Sequence, residues 1–267
     1  ALHALRPNWV PAILGFGESL LRRACEEYAS GWLRQSTDTL VSSVKLLHNC
    51  VTIQPQLVAA WKMLGDALSR FAAASPGDCQ PVWSILSASS VSDPGENELS
   101  NVADASSRQL VAAAIAAGSP STEAVAKVGV MRAAAVAYAW VVCGDSASPA
   151  AWHDLGVSVH ERSHLDANGT RLSATAVALL SAAIRLDPVN PVLWSSLGTV
   201  HKDPRVSQHA LIRSIQLDDK QAFAWESLGA LYLRYRQTDL AHQAFSEAKR
   251  LDPDSPASWT GLRRRRA

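Results

Sequence analysis

The sequence predicts an all-α chain whose helical hairpins repeat along a solenoid, and three observations carry that reading. Trp61-Lys-Met-Leu64-Gly65, Trp152-His-Asp-Leu155-Gly156, Trp194-Ser-Ser-Leu197-Gly198 and Trp225-Glu-Ser-Leu228-Gly229 all spell W-x-x-L-G. Trp259 with Leu262 opens a fifth copy without the glycine, and the spacings are 91, 42, 31 and 34 residues. A second marker keeps step with the first: Arg185-Leu186-Asp187-Pro188, Gln216-Leu217-Asp218-Asp219 and Arg250-Leu251-Asp252-Pro253 recur 31 and 34 residues apart. Two markers sharing one period are the signature of a repeat array. Finally, the copy at Trp225 has the 3.6-residue periodicity of two helices. Trp225, Leu228, Gly229 and Tyr232 share one helical face, and Ala241, Phe245 and Ala248 share another.

The physics of that copy is legible. Gly229 and Ala241 are small where two helices must approach, while Trp225 and Phe245 supply buried bulk. Arg236 to Asp239 is a polar turn with Asp239 as the expected N-cap, and Pro253 stops the second helix.

Taken in order, residues 1–56 form a degenerate hairpin: Phe16, Gly17 and Leu20 mark its first helix, and Ser43, Leu47, Cys50 and Pro55 its second. About fourteen extra residues separate the two, read as a long inter-helix loop because lengthening a surface loop costs little. Residues 57–147 hold the helix of Trp61, a polar linker over about 87–107, and alanine-rich helical stretches near Leu110–Ala117 and Thr122–Cys143. The period is lost there, and the stretches are expected to complete a degenerate repeat. Residues 148–189 are a repeat with about eight extra residues, His164 to Ser173, before Ala176, Leu180 and Ala183. Residues 190–221 form a short repeat, with His201 in the aromatic slot and Ser207, Leu211 and Ser214 on its second helix. Residues 222–254 are a full repeat. Residues 255–267 start another and end in Arg263 to Arg266.

The eight positions from Trp225 to Pro253 resemble the tetratricopeptide repeat (TPR), whose W-L-G-Y…A-F-A-P signature they meet throughout. That resemblance implies a right-handed superhelix of helical hairpins. A narrower likeness rests on Ser207-Gln-His-Ala-Leu-Ile-Arg-Ser-Ile215, on Tyr232-Leu followed by Ala241-His-Gln-Ala-Phe245, on the irregular middle and on the lengthened first hairpin. These resemble the TPR scaffold subunits of superkiller (SKI) complexes, most clearly over Trp152–Leu262 and more weakly over Leu14–Gly65. The resemblance implies a cytoplasmic scaffold that holds an RNA helicase and WD40 subunits and feeds RNA to the exosome for 3′–5′ mRNA decay. It also implies that this chain, which begins at Ala1 and ends abruptly, is a slice of a longer protein.

Composition narrows the alternatives. The 267 residues are 48% hydrophobic and 18% charged, which excludes disordered and low-complexity classes. Lys and Arg (25) against Asp and Glu (24) give +1, and setting aside the four terminal arginines leaves −3. The body therefore has no basic face for nucleic acid, and direct nucleic-acid binding is not expected. Cys25, Cys50, Cys79 and Cys143 form no C-x-x-C pair, so packed, reduced thiols of a cytosolic or nuclear protein are expected. The longest charge-free apolar stretch, Ala133 to Gly144, is short of the ~20 residues of a membrane span, and no signal sequence or membrane role is expected.

One motif points elsewhere. His160-Glu161-Arg162-Ser163-His164 is H-E-x-x-H, the helix that places two imidazoles on one face around zinc with a glutamate as base. Here it runs into a polar loop, carries a charge inside, and lacks a third His or acidic ligand at the usual distance. Zinc hydrolysis is therefore the remote alternative; no catalytic residue, metal ligand or cofactor is assigned. Asn168-Gly-Thr170 is a sequon, of consequence only in a secreted protein.

Such arrays bind peptides or whole partners along first helices. By the family pattern the groove residues follow each tryptophan by one and five positions: Lys62 and Asp66, His153 and Val157, Ser195 and Thr199, Glu226 and Ala230. TPR co-chaperones that grip C-terminal carboxylates use repeated Lys and Asn at such places. Only Lys62 fits, so a generic adaptor or co-chaperone is the second reading. Five of nine tryptophans mark the repeat slot; Trp9, Trp32, Trp83 and Trp140 remain, and a partner-facing tryptophan is expected among these four.

Overall fold

A computed structural model describes residues 9–74, 79–88, 93–102, 105–116, 125–165 and 169–256. The described residues form thirteen helices and no strand: α1 Val10–Ala29, α2 Leu33–Ile53, α3 Val58–Ala74, α4 Gln80–Ala88, α5 Glu96–Leu99, α6 Ala105–Ile115, α7 Val125–Gly144, α8 Pro149–Ser163, α9 Gly169–Leu186, α10 Pro191–Val200, α11 Pro204–Leu217, α12 Ala222–Arg234 and α13 Thr238–Leu251. The fold is all-α and of the TPR helical-hairpin class. Trp259, the terminal arginines, Pro76 to Asp78 and Asn168 lie outside the described residues. The chain divides into two compact units, Ala1–Ala176 and Val177–Ala267.

In the second unit α10 pairs with α11, α12 pairs with α13, and α11 packs on α12. Leu211, Leu228 and Leu231 form the shared core, with Ile215 and Tyr232 against it. Three helix starts across the chain use the same chemistry: proline is the first helical residue of α8, α10 and α11, where its missing N–H costs nothing. Asn190 Oδ1 accepts from Val192 N at 3.1 Å, and Asp203 Oδ1 accepts from Arg205 N at 2.9 Å, capping α10 and α11. Gln237, not Asp239, precedes α13; Asp239 sits inside the first turn, where its charge meets the helix dipole.

The first unit holds two departures from the 34-residue pattern, and both have a geometric explanation. In the first hairpin the fourteen extra residues are not a loop. Gly31, at φ 80°, and Arg236, at φ 60°, occupy the same left-handed turn position in the first and last described hairpins. Trp32 N donates to Glu27 O and Gln237 N donates to Tyr232 O, both at 2.9 Å, closing equivalent turns. Gly17 precedes Gly31 by fourteen residues, against seven from Gly229 to Arg236; Leu47 follows Gly31 by sixteen, against nine from Arg236 to Phe245. Each helix is therefore longer by seven residues. Seven residues make nearly two turns, about 20° short, so both packing faces survive the insertion. The contact pattern repeats accordingly. Ser43 Oγ donates to Gly17 O at 3.0 Å, and Ser36 Oγ, seven residues earlier, donates to Ala24 O, seven residues later, at 2.8 Å.

The second departure is the 91-residue interval. A methyl built on Gly229 would lie 2.9 Å from Phe245, on Gly198 2.6 Å from Leu211, and on Gly17 2.8 Å from Leu47. On Gly65 it would lie 2.7 Å from Tyr138. Tyr138 thus takes the Phe245 slot, and α7 is the second helix of the repeat that α3 begins. Residues 75–124, with α4, α5 and α6, are an insertion into that one hairpin. It folds back on its own repeat: α4, α5 and α6 all contact α7. The alanine-rich segment is accordingly covered on several sides. The stretch Ala126–Gly144 has a mean hydropathy of 1.4, enough for a membrane span by composition, but 72% of it is buried within the protein. A helix apolar all round is what such a central position requires.

Candidate partner-binding surface

The repeat tryptophans are hydrogen-bonding struts as well as bulk. Trp61 Nε1 donates to Pro55 O at 2.7 Å, Trp152 to Ser146 O at 2.9 Å, Trp194 to Pro188 O at 2.9 Å and Trp225 to Asp219 O at 3.0 Å. The acceptor is always six residues upstream, in the turn between repeats. The preceding aspartates shape that turn: Asp145, Asp218 and Asp252 accept from the backbone N–H two residues on, at 3.2, 3.0 and 3.2 Å. The two sequence markers share a period because one is bonded to the other's turn. Leu64, Gly65, Leu155, Gly156, Leu197, Gly198, Leu228, Gly229, Ala241, Phe245 and Ala248 are buried; Pro188 and Pro253 are exposed in turns, and Tyr232 is half-buried.

Of the four remaining tryptophans, Trp140 stacks on Trp61 with ring centroids 5.0 Å apart and planes 1° from parallel, and Trp83 is half-buried. Trp9 and Trp32 are exposed, Trp32 by 61%.

Groove positions of the first unit converge. Lys62 Nζ bonds Asp66 Oδ1 at 2.9 Å and Asp154 Oδ2 at 2.7 Å. The Tyr138 hydroxyl donates to Asp66 Oδ1 at 2.8 Å, the Lys62 ammonium sits 5.3 Å from the Tyr138 ring centre, and His153 Nδ1 lies 3.3 Å from Asp154 Oδ1. Burial opposes the charge on Lys62, but its bonds to Asp154 and Asp66 prevail and hold its pKa above the ordinary value. Burial likewise opposes Asp154 ionisation, and the bonds from His153 and Lys62 overcome it, lowering that pKa. Burial, then the Asp66 carboxylate, push the Tyr138 hydroxyl far above the phenol range, so it stays protonated and donates. Lys62 is engaged by two carboxylates, which makes it a poor clamp for a third. Tyr138 and Asp154 were not legible as groove residues. Tyr138 is recognisable only once α7 is paired with α3 across the insertion, and Asp154 stands two places after its tryptophan. In the second unit Ser195 is buried, Thr199 and Ala230 are exposed, and Glu226 pairs with the Ser255 hydroxyl.

The H-E-x-x-H segment ends α8. His160 and His164 face each other, Nε2 to Nε2 at 3.3 Å, while Glu161 is exposed. Its third residue, Arg162, is 1% exposed, and its guanidinium donates to Ala116 O at 3.2 Å, just past the end of α6. A cation there meets the negative end of the helix dipole and ties the insertion to α8. Among the described residues no three of His, Cys, Asp and Glu converge as a metal site. All four cysteines are free thiols; burial pushes Cys50 up, and burial with the Glu98 charge pushes Cys143 up to about 11.

No protein-family model matches the chain. It is 25% identical to tetratricopeptide repeat protein 37 of Xenopus laevis over 95% of its own length and 15% of that protein. It is 30% identical to mouse superkiller complex protein 3 over 41% of the chain and 8% of the relative, and 26% identical to superkiller protein 3 of Saccharomyces cerevisiae over 42% and 8%. The chain thus spans a small part of these relatives. Among solved structures, a thermophilic TPR protein of Thermus thermophilus superposes with a TM-score of 0.56 at 15% identity, covering 93% of this chain and 97% of the other. MamA (residue 41 to the end) from Desulfovibrio magneticus gives 0.51 at 11% identity, over 91% and 97%. These structural likenesses bear on the fold alone.

Proposed function

The chain is a tetratricopeptide-repeat protein, and from that premise we propose that it is a non-catalytic segment of a superkiller-type scaffold. In this role it holds an RNA helicase and WD40 subunits in the cytoplasm and serves exosome-mediated 3′–5′ mRNA decay. The observation that carries the reading is the likeness of about two-fifths of the chain to the superkiller proteins of mouse and Saccharomyces cerevisiae, 30% and 26% identical. The chemistry of the chain supports a scaffold. The four repeat tryptophans Trp61, Trp152, Trp194 and Trp225 and most of the cysteines are committed to packing and turn bonds, Arg162 of the H-E-x-x-H segment anchors an insertion, and the central charged cluster is satisfied internally. An array of this kind acts by presenting surface.

Affinity purification of the full-length protein from cytoplasmic extract tests the proposal. Recovery of a helicase and WD40 subunits at stoichiometric level is the expected result. Recovery of Hsp70 or Hsp90 without a helicase would replace it with the co-chaperone reading.

A further inference from the structure

The two added turns of the first hairpin create a site that a standard hairpin would lack. Where α1 and α2 run on past the usual turn position, they and the last turns of α3 enclose a hollow of ≈ 220 Å³. Ala24, Tyr28 and Leu40 form its apolar walls, Ala73 closes one side, and Cys25 and Arg70 stand on its lining. Ala24 and Leu40 belong to the added residues of their helices, and Tyr28 is 52% exposed beside them. Ser36 and Leu40 line the hollow from one face of α2, and Trp32, the residue before that helix, is 61% exposed. Leu33 at the tip is exposed as well.

Three features define what fits. The volume is below the ~300 Å³ at which small-molecule sites begin, yet ample for one large aliphatic side chain. The walls are apolar or aromatic, and exposed aromatics at a concave rim are the composition of a protein-interaction anchor. Arg70 supplies the polar requirement. Its guanidinium contacts the Cys25 thiol, a weak acceptor, and among the described residues it reaches no carboxylate. An arginine so placed satisfies its fork best with a carboxylate from outside.

We propose that the lengthened tip of the first hairpin is a peptide-docking site that takes a large aliphatic side chain flanked by a carboxylate. The aliphatic group fills the hollow against Leu40 and Tyr28, and the carboxylate pairs with Arg70. The proposal rests on the reading of the chain as a protein-interaction array and names a site for it. The site lies apart from the Lys62 cluster, which is closed on itself.

The test uses the purified full chain and three fluorescein-labelled dodecapeptides of equal length: one of Leu and Glu, one of Leu and Lys, one of Ser and Glu. Fluorescence polarisation should register the Leu–Glu peptide at least tenfold more tightly than either of the others. Arg70→Gln and Ala73→Leu, the second of which fills the hollow, should each weaken it at least tenfold at unchanged melting temperature. Both are surface changes, and an Arg34→Gln variant serves as the charge control that should bind normally. Equal binding of all three peptides, no binding of the Leu–Glu peptide, or indifference to Arg70→Gln and Ala73→Leu would each overturn the site. Recovery of helicase and WD40 subunits by the wild-type chain reads the scaffold role separately. That role survives a failed peptide assay, and the site survives a failed purification.

Discussion

The seven-plus-seven construction of the first hairpin makes a demand that can be tested by deletion. Removing Arg22–Tyr28 and Arg34–Leu40 together leaves Gly31 seven residues after Gly17 and nine before Leu47, the spacings found between Gly229, Arg236 and Phe245. The helix ends keep their azimuth, so the left-handed turn at Gly31 still closes. The lost interior is small: Leu40 and Ala24 are the buried apolar side chains in the excised segments. At ~25 cal/mol per Å² these amount to roughly 3 kcal/mol. The bonds Ser36 to Ala24 O and Thr39 to Glu27 add about 1 kcal/mol each, and not having to order fourteen residues returns much of that sum. The shortened chain should therefore remain cooperatively folded, about 1–3 kcal/mol less stable. Removing five residues from each helix excises less but rotates each helix end by about 140° past a full turn, and a three-residue turn cannot bridge ends so placed. That variant should lose the whole hairpin, with Ile13, Leu47 and Cys50 exposed. Circular dichroism melts and limited proteolysis compare the two. Equal stability of the five- and seven-residue deletions would refute the phase argument.

Other perturbations follow from the same geometry. Gly65→Ala places a methyl 2.7 Å from Tyr138 and Gly229→Leu drives a larger group into Phe245; each should cost about 1–3 kcal/mol or more by overpacking, read as a lower denaturant midpoint. Arg236→Gly relieves a left-handed non-glycine residue worth about 1 kcal/mol, partly offset by unfolded-state entropy, so the melting temperature should rise slightly; a fall would contradict the turn assignment. Asp154 has a lowered folded pKa, so its contribution is full above the ordinary value of 3.8 and lost as pH falls through the folded one. The stability gap between wild type and Asp154→Asn should be constant at neutral pH and close in strong acid. His160 is also lowered, by burial and by His164, so folding favours its neutral form; stability should decline as pH drops below 6.5, and His160→Gln should flatten that dependence.

The sequence by itself determined the repeat, its period and its chemistry. W-x-x-L-G, the L-D turns and the Ala-Phe-Ala face are local patterns, and local patterns with a fixed period specify helices and their packing faces without reference to anything distant. Relatedness to TPR proteins was legible for the same reason. What the tertiary structure decided was partnership across long separations. Fourteen unassigned residues looked like a loop because their apolar positions are few, as in Leu33 to Leu40. Only the pairing of Ser36 with Ala24 shows them to be two added turns on each of the two helices. Tyr138 became the partner of Gly65 only when α7 closed a hairpin opened some seventy residues earlier, and that closure assembled Lys62, Asp66 and Asp154. Arg162 changed meaning altogether, from the filler of a zinc signature to the anchor of an inserted segment. Helical faces are set by near neighbours along the chain, and which face meets which is set by the burial they achieve together.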